Sequence, residues 1–560
     1  MKSTADCKNL LECAIHWEAT APDRICMTQP MGGGDTNINT WTWSEMVGEA
    51  RQIASYLKSL DLAERSCIAL CSKNCAYWGM ADLAIGMAGH ISVPIYPVLT
   101  KDIVTYILEH SEARLLFVGK LDPVWDEMKK GVPDGMKVVA FPLAPENEYE
   151  QWNDIIARYD PLMEIADCPP DETATIIYTS GSTGKPKGVM ISFEAMYKGG
   201  KGLNTFVKLH TGDRALSYLP LAHAMERLGQ AIGLLSGCEV FYMESLDTFL
   251  QDLKRARPTV FASVPRLWLN FQLGVFEKVP PEKIDRLLRI PIISGIVKKK
   301  ILKQLGLDKV RVASSGSAPI PKEIIDWYRR LGLELLEGYG MTENFAYSHA
   351  SRPGEVRPGY VGRPCPGVEQ KIDQNGEILV KSPCNMKGYY KMPELTAKAF
   401  TEDGFLRTGD LGELDEMGRL KITGRIKELF KTSKGEYVAP TPIENRILNH
   451  YLVEACYVAG EGFHQPHCVV MLSEAATQEA SKGNRHSLEN KLAELLEQIN
   501  GRLPPFEQLS FFAVTKDVWS AENGFLTPTF KIKRKVLEET YSPLAEKWYA
   551  MNKPIIWQTA

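Results

Sequence analysis

Tyr178-Thr-Ser-Gly-Ser-Thr-Gly-Lys-Pro-Lys-Gly-Val189 follows the β-branched run Thr175-Ile176-Ile177. Gly181, Gly184 and Gly188 free the backbone, Thr179, Ser180, Ser182 and Thr183 supply hydroxyl donors, and Lys185 and Lys187 supply positive charge. That combination suits a phosphate cradle. It is not a Walker A loop, because no Gly-x4-Gly-Lys-[Ser/Thr] spacing exists here and Val189-Met190-Ile191-Ser192 reads as a returning strand, where a P-loop requires a helix. No Gly-x-Ser-x-Gly nucleophile elbow can be placed on it either. The bland alternative is a flexible Gly/Ser hairpin, which gives the two lysines no purpose.

Outward from this loop the chain has an α/β rhythm. Met46, Val47, Ala50, Ile53, Ala54 and Leu57 fall at helical spacing, followed by apolar runs at Cys67–Leu70, Ala76–Ala88, Ile91–Tyr96, Val104–His110, Leu115–Val118 and Val138–Phe141. Largely parallel sheets covered by helices are expected. A second rhythm starts after Gly424. Glu428–Thr432 reads as a short strand, and Thr441-Pro-Ile-Glu444 reads as a capping box opening a helix through Leu448. Apolar runs at Ala455–Ala459, Val469–Leu472 and Leu509–Val514 and a helix near Leu488–Ile499 complete a small α+β unit. The expected division is 1–424 and 425–560.

Composition narrows the function classes. The 560 residues are 44% hydrophobic and 24% charged, which is ordinary for a folded chain of more than one domain. A formal charge of −4 gives no bulk attraction for nucleic acid or for an anionic membrane, so a polyanion must be held by a local site. The first twenty residues carry Asp6, Glu12 and Glu18 and do not read as a secretory signal. The apolar stretch Cys67–Leu99 is too interrupted to span a bilayer. Twelve scattered cysteines fit a reducing compartment, and a cytoplasmic setting is expected. Cys67, Cys71 and Cys75 are expected to be buried thiols rather than a metal site.

The motifs resemble those of the adenylate-forming enzymes, a family that includes acyl-CoA synthetases, luciferases and peptide-synthetase adenylation domains. The resemblance runs from about Trp41 to Lys535 and follows the family's order: the loop at Tyr178–Gly188, Leu219-Pro-Leu-Ala-His223, Ser315-Gly-Ser-Ala-Pro319, Glu337-Gly-Tyr-Gly-Met-Thr-Glu343, Arg407-Thr-Gly-Asp410, Gly424-Arg-Ile-Lys427 and Thr529-Phe-Lys-Ile-Lys-Arg534. Leu219–Arg227, Lys434–Pro440 and Leu526–Arg534 are most similar to the long-chain fatty-acid:CoA ligase branch. The resemblance implies a large N-terminal α/β domain of helix-covered sheets, a small mobile C-terminal α+β domain, and a hinge near Lys427.

It also implies a chemistry. A carboxylate would attack the α-phosphorus of ATP to give an acyl-adenylate and pyrophosphate, and coenzyme A would then take the acyl group. Thr179, Ser180, Gly181, Ser182, Thr183, Gly184 and Lys187 would hold the β- and γ-phosphates, Thr342 the α-phosphate, and Glu343 a Mg²⁺ ion. Asp410 would accept from both ribose hydroxyls beside Arg425. Glu337, Gly338, Tyr339 and Gly340 would form one wall of the adenine slot, with the Tyr339 ring on the base, and Gly316, Ser317, Ala318 and Pro319 the other. Lys531 would bridge the acyl carboxylate and the α-phosphate, and His223 would line the acyl pocket. Arg227 stands where some long-chain members have an aromatic tunnel gate. After rotation about Lys427, Gly435 would approach the acyl-adenylate and leave room for the thiol. Fatty acid, ATP and coenzyme A are the expected partners. A carrier-protein ligase, a medium-chain or aromatic-acid ligase and a non-catalytic acyl- or nucleotide-binding protein are the rivals.

One segment falls outside these motifs. Pro280–Leu305 sets eleven Ile, Leu and Val residues beside Lys298, Lys299, Lys300 and Lys303. Such a stretch can lie in a bilayer interface. The alternative is two short helices, separated at Pro291 and Gly295, packed on the core with solvated lysines.

Overall fold

The structure, a computed structural model, describes residues 4–121, 123–179, 185–527 and 531–558. Among them, the strands Cys67–Cys71 and Ile91–Ile95 are buried at every position, as parallel strands covered on both faces must be. They centre an eight-stranded sheet that runs, in order, Gly388–Tyr389, Lys187–Ser192, Thr173–Thr179, Ile91–Ile95, Cys67–Cys71, Leu115–Val118, Lys137–Ala140 and Glu150–Gln151. It is parallel from Thr173–Thr179 onward, and the returning strand Lys187–Ser192 is antiparallel, so the quoted loop is a hairpin connection.

A nine-stranded sheet has a parallel centre that includes Val260–Ser263, Val312–Ser315 and Leu335–Tyr339. One core joins the two sheets: Ile68, Leu70 and Ile177 from the first share it with Met27 and Tyr242 from the second. Helix Trp43–Ser59 buries Met46, Val47, Ala50, Ile53, Ala54 and Leu57 there, the predicted face, and is capped by a reciprocal Thr42/Glu45 box. The cysteines expected to be buried are so, and desolvation pushes the Cys67 thiol up to about 11 and the Cys71 thiol up to about 12.

An antiparallel four-stranded sheet, Glu369–Ile372, Glu377–Lys381, Leu406–Leu414 and Leu420–Arg425, leads to a 3₁₀ turn at Ile426–Glu428. Beyond that turn a separate core forms around Val453–Ala459, His467–Leu472, Phe512–Val514 and Ile555–Trp557, with helices Pro440–Leu448 and Arg485–Asn500 packed on it. Two local expectations are corrected here. The strand expected over Glu428–Thr432 is only Phe430–Lys431. Thr441 does not cap a helix: the helix begins one residue earlier, at Pro440, and the Thr441 hydroxyl donates to Glu428 Oε2 at 2.5 Å. Glu444, the other half of the expected box, is buried instead, accepting from the Val458 N–H at 2.7 Å and from Arg534 at 2.7 Å.

The Pro280–Leu305 stretch forms helices Pro281–Leu288 and Pro291–Gln304. Pro291 opens the second helix, where its missing N–H costs nothing, and Gly295 lies inside that helix rather than ending it.

Candidate active site

Lys187 stands at the foot of the hairpin, opposite Thr179 in the ladder. The strand Gly388–Tyr389 pairs with the same returning strand, Tyr389 against Val189. This register places the Lys187 ammonium 5.0 Å from the centre of the Tyr389 ring, while the Tyr389 hydroxyl donates to Glu343 Oε1 at 2.9 Å. One tyrosine therefore links the loop lysine to the carboxylate expected to hold the cation. Tyr389 carries no motif and was not anticipated. Ser180, Gly181, Ser182, Thr183 and Gly184 lie outside the described residues.

Thr342 and Glu343 sit in the 3₁₀ turn Thr342–Asn344, entered from the strand Leu335–Tyr339. Gly340 is required there, because a Cβ would come within 2.4 Å of the Ala346 carbonyl carbon. The carboxylate suits Mg²⁺, which keeps several waters and asks for one or two carboxylates plus substrate phosphates.

The two walls expected for an adenine slot are adjacent. Ser315 pairs with Glu337 in parallel register, and a Cβ on Gly316 would touch the Gly338 carbonyl at 3.4 Å. Ser317 adopts φ +69°, a strained value for a non-glycine residue of the kind that collects at functional sites. Desolvation pushes the buried Glu337 carboxyl up to about 8. The Tyr339 hydroxyl donates to Asp410 Oδ2 at 2.7 Å, and Arg425 Nε donates to Asp410 Oδ1 at 2.8 Å. Asp410 and Arg425 face each other across the Leu406–Leu414/Leu420–Arg425 ladder. The Asp410 charge in turn holds the Arg425 guanidinium above its ordinary value.

Lys531 comes from the far end of the chain, where the Thr527 N–H donates to its carbonyl at 2.7 Å. The residue is exposed as a whole. Desolvation by the protein around its ammonium, then the Arg425 charge, lower its pKa, and Asp410 and Glu428 oppose that shift. His223 caps helix Ala224–Ser236, its Nδ1 accepting from the Met225 N–H at 3.1 Å. Desolvation and then the Lys531 charge push it down to about 4, so it is a neutral imidazole at pH 7. The structure thus brings His223, Asp410 and Arg425 within electrostatic reach of Lys531. Lys427 lies on the 3₁₀ turn Ile426–Glu428, and Gly435 lies in the turn Thr432–Glu436 at φ +87°.

A polar cluster behind His223 was also not anticipated. Asn74 accepts from the Leu221 N–H at 3.2 Å and donates to the Leu219 carbonyl at 2.6 Å, which pins the loop leading to His223. Ser217 donates to Glu226 Oε1 at 2.6 Å, and burial pushes Glu226 up to about 8. Arg227 is no gate: it is buried, 2.7 Å from Asp82, with its guanidinium over the Trp78 ring at 5.0 Å.

The AMP-binding enzyme profile matches residues 15–390, and the AMP-binding enzyme C-terminal domain profile matches 428–553. The peroxisomal long chain acyl-CoA synthetase 6 of Arabidopsis thaliana is 32% identical, over 84% of this chain and 76% of its own. A long-chain-fatty-acid–CoA ligase of Mycobacterium tuberculosis is 29% identical over 97% of both chains. The crystal structure of the adenylation domain of a Mycobacterium chelonae carboxylate reductase superposes with a TM-score of 0.80 at 25% identity, covering 97% of this chain and 91% of that one. The chain belongs to the AMP-binding enzyme family.

Proposed function

We propose that this protein is a fatty-acid:CoA ligase that acts on long chains: it converts a fatty acid and ATP to acyl-adenylate and pyrophosphate, then transfers the acyl group to coenzyme A. The observation that carries this reading is that Lys531, from beyond residue 425, comes within electrostatic reach of His223 and of the Asp410–Arg425 pair that Tyr339 also bonds. Adenylation is largely positioning plus charge stabilisation. Lys531 is the cation for the carboxylate oxygen that attacks and the α-phosphate oxygens that gain charge. Thr342 donates to the same phosphate, and the Ser180–Gly184 backbone with Lys187 holds the departing pyrophosphate. Asp410 orients the ribose, and Tyr339 with the facing Gly316–Pro319 segment encloses the base. Glu343, oriented by Tyr389, holds Mg²⁺, which neutralises phosphate charge when bound. His223, neutral, lines the start of the acyl site without placing a second cation beside Lys531.

The division at 424/425 with Lys427 as hinge lets the small domain withdraw Lys531 after the first half-reaction and bring Gly435 forward. The scatter of the twelve cysteines, eleven of them buried, supports the reading of a reducing, cytoplasmic setting. Among the described residues no helix is long and apolar enough to cross a membrane. The test is pyrophosphate release across carboxylic acids from acetate to oleate, with coenzyme A and a carrier protein as alternative acceptors. Highest turnover with long-chain acids and coenzyme A supports the reading; preference for a short or aromatic acid, or for the carrier protein, moves the assignment within the family. No acid-dependent release at all leaves only a binding protein.

A further inference from the structure

Helix Pro291–Gln304 turns Ser294 and Ile301 inward, and Leu305 just past its end is buried on the same side. The opposite side carries Ile292 and Ile296 and then, one and two turns on, Lys299 and Lys303. Ile292 is 83% exposed and Ile296 66%, and Ile290 and Ile293 beside them are exposed as well. Ser294, the polar side chain within this tip, points into the protein. Single apolar residues on a surface need no explanation, but four isoleucines contiguous at one protruding helix end do.

The charge around this tip has one sign. Between Arg286 and Lys303 the sequence holds Arg286, Arg289, Lys298, Lys299, Lys300 and Lys303 and no acidic residue. Asp285, just outside, is neutralised by Arg330 at 2.7 Å. Apolar and basic residues are segregated along the helix rather than around it: isoleucines crowd the N-terminal half and lysines the C-terminal half. With a rise of 1.5 Å per residue, roughly 16 Å separates Ile292 from Lys303.

We propose that this tip docks on an anionic lipid bilayer, the isoleucines entering the acyl boundary and the basic residues meeting lipid phosphates. Isoleucines this exposed, set beside a cluster of one charge sign, match the apolar interior and anionic headgroups of a fluid surface without a preformed pocket, whereas a folded partner would have to supply one. Lysines placed just behind the point can lay their stems along the apolar boundary and keep their ammonium groups among the headgroups. The inference does not depend on the ligase reading, because its readout is partitioning and not turnover; for a fatty-acid ligase it brings the site to the phase in which the substrate dissolves.

The full-length protein is co-sedimented with vesicles of phosphatidylcholine alone and of phosphatidylcholine mixed with phosphatidylserine. It is expected to pellet with the anionic vesicles at low salt and to be released as salt rises. Lys298→Glu/Lys299→Glu/Lys300→Glu should lower partitioning by roughly 100-fold, and Ile292→Ser/Ile296→Ser by roughly tenfold or more, with circular dichroism and turnover of octanoate unchanged. If the isoleucine pair fails to fold, Ile292→Ser alone, at the most exposed position, replaces it. Wild-type protein that stays in the supernatant, or variants that pellet as it does, overturn the proposal. A wild-type dimer in sedimentation velocity that dissociates in the isoleucine variant also overturns it, since the tip would then be covered by a second copy.

Discussion

His223 and Lys531, 308 positions apart in the chain, come close enough for the lysine's charge to add to the burial that pushes the imidazole down to about 4. Removing that ammonium has two readouts. Lys531→Ala should slow acyl-adenylate formation by the roughly 10²–10³-fold typical of losing one preorganised donor, while thioester formation from supplied acyl-adenylate survives. The His223 pKa, followed by NMR, should rise in the same variant. Equal loss of both half-reactions would contradict the assignment.

The 3₁₀ turn at Ile426–Glu428 offers a second test. Lys427→Pro fixes φ near −65° and removes a backbone N–H, so rotation about this point should be blocked. Adenylation is expected to be spared and thioester formation to fall at least tenfold in a pre-steady-state assay of each half-reaction. A variant with both activities intact would make Lys427 a plain linker residue.

Tyr389 separates two effects that most active-site mutations confound. Tyr389→Phe removes the hydrogen bond to Glu343 and leaves the ring under Lys187. Loss of such a supporting partner typically costs 10–100-fold in metal affinity, so the Mg²⁺ concentration for half-maximal activity should rise by about that factor. Tyr389→Ala should lose more, because the lysine contact goes too. If the two variants behave alike, the hydroxyl is not what matters.

The buried titrating groups set an optimum pH for stability. His90, His223, His349 and His467 are pushed down to about 4, chiefly by desolvation. Unfolded histidine takes up its proton near pH 6.5, so the stability they provide is complete above that value and is lost as pH falls toward 4. For the three most deeply buried, His90, His349 and His467, this is on the order of 3 kcal/mol each. Glu226 and Glu337, pushed up to about 8, work in the opposite direction: their contribution is full below about 4.5 and is lost as pH rises to 8. Four histidines outweigh two glutamates below pH 6.5, and the glutamates act alone above it. Calorimetric Tm should therefore peak near pH 6.5; a peak below 5 or above 8 would refute this balance.

The family membership and the proposed site were legible because the resemblance lies in short contiguous motifs: Glu337–Glu343, Arg407–Asp410 and the Lys531 segment each announce themselves in a few residues. The parallel strands were legible for a different reason, since runs such as Cys67–Cys71 are apolar throughout when both faces are covered. What escaped was non-local. Tyr389 acts from a two-residue strand, 46 positions from the carboxylate it holds, and Asn74 reaches 147 positions to Leu221. The sheet spanning residues 369–425 escaped as well: its edge strand Glu369–Ile372 is short and largely polar, and its longest strand, Leu406–Leu414, is broken by two glycines. At Thr441 a correct local pattern was overridden by tertiary contact, the hydroxyl finding Glu428 instead of its own helix.

Arg266 reaches from the large domain to the small one, donating to the Val453 carbonyl at 2.9 Å and pairing with Glu454 at 2.5 Å. Both ionic partners are partly exposed, and a solvent-accessible ion pair contributes roughly 0.2–1 kcal/mol. A ligand that binds one domain orientation alone, at a hundred times its dissociation constant, contributes about 2.7 kcal/mol. The clasp would thus be outvoted by such a ligand. On the proposed rotation about Lys427, timing would be kept by the cargo: each substrate's arrival or departure would reset the posture of the small domain, the protein's own grip being too weak to prevent it.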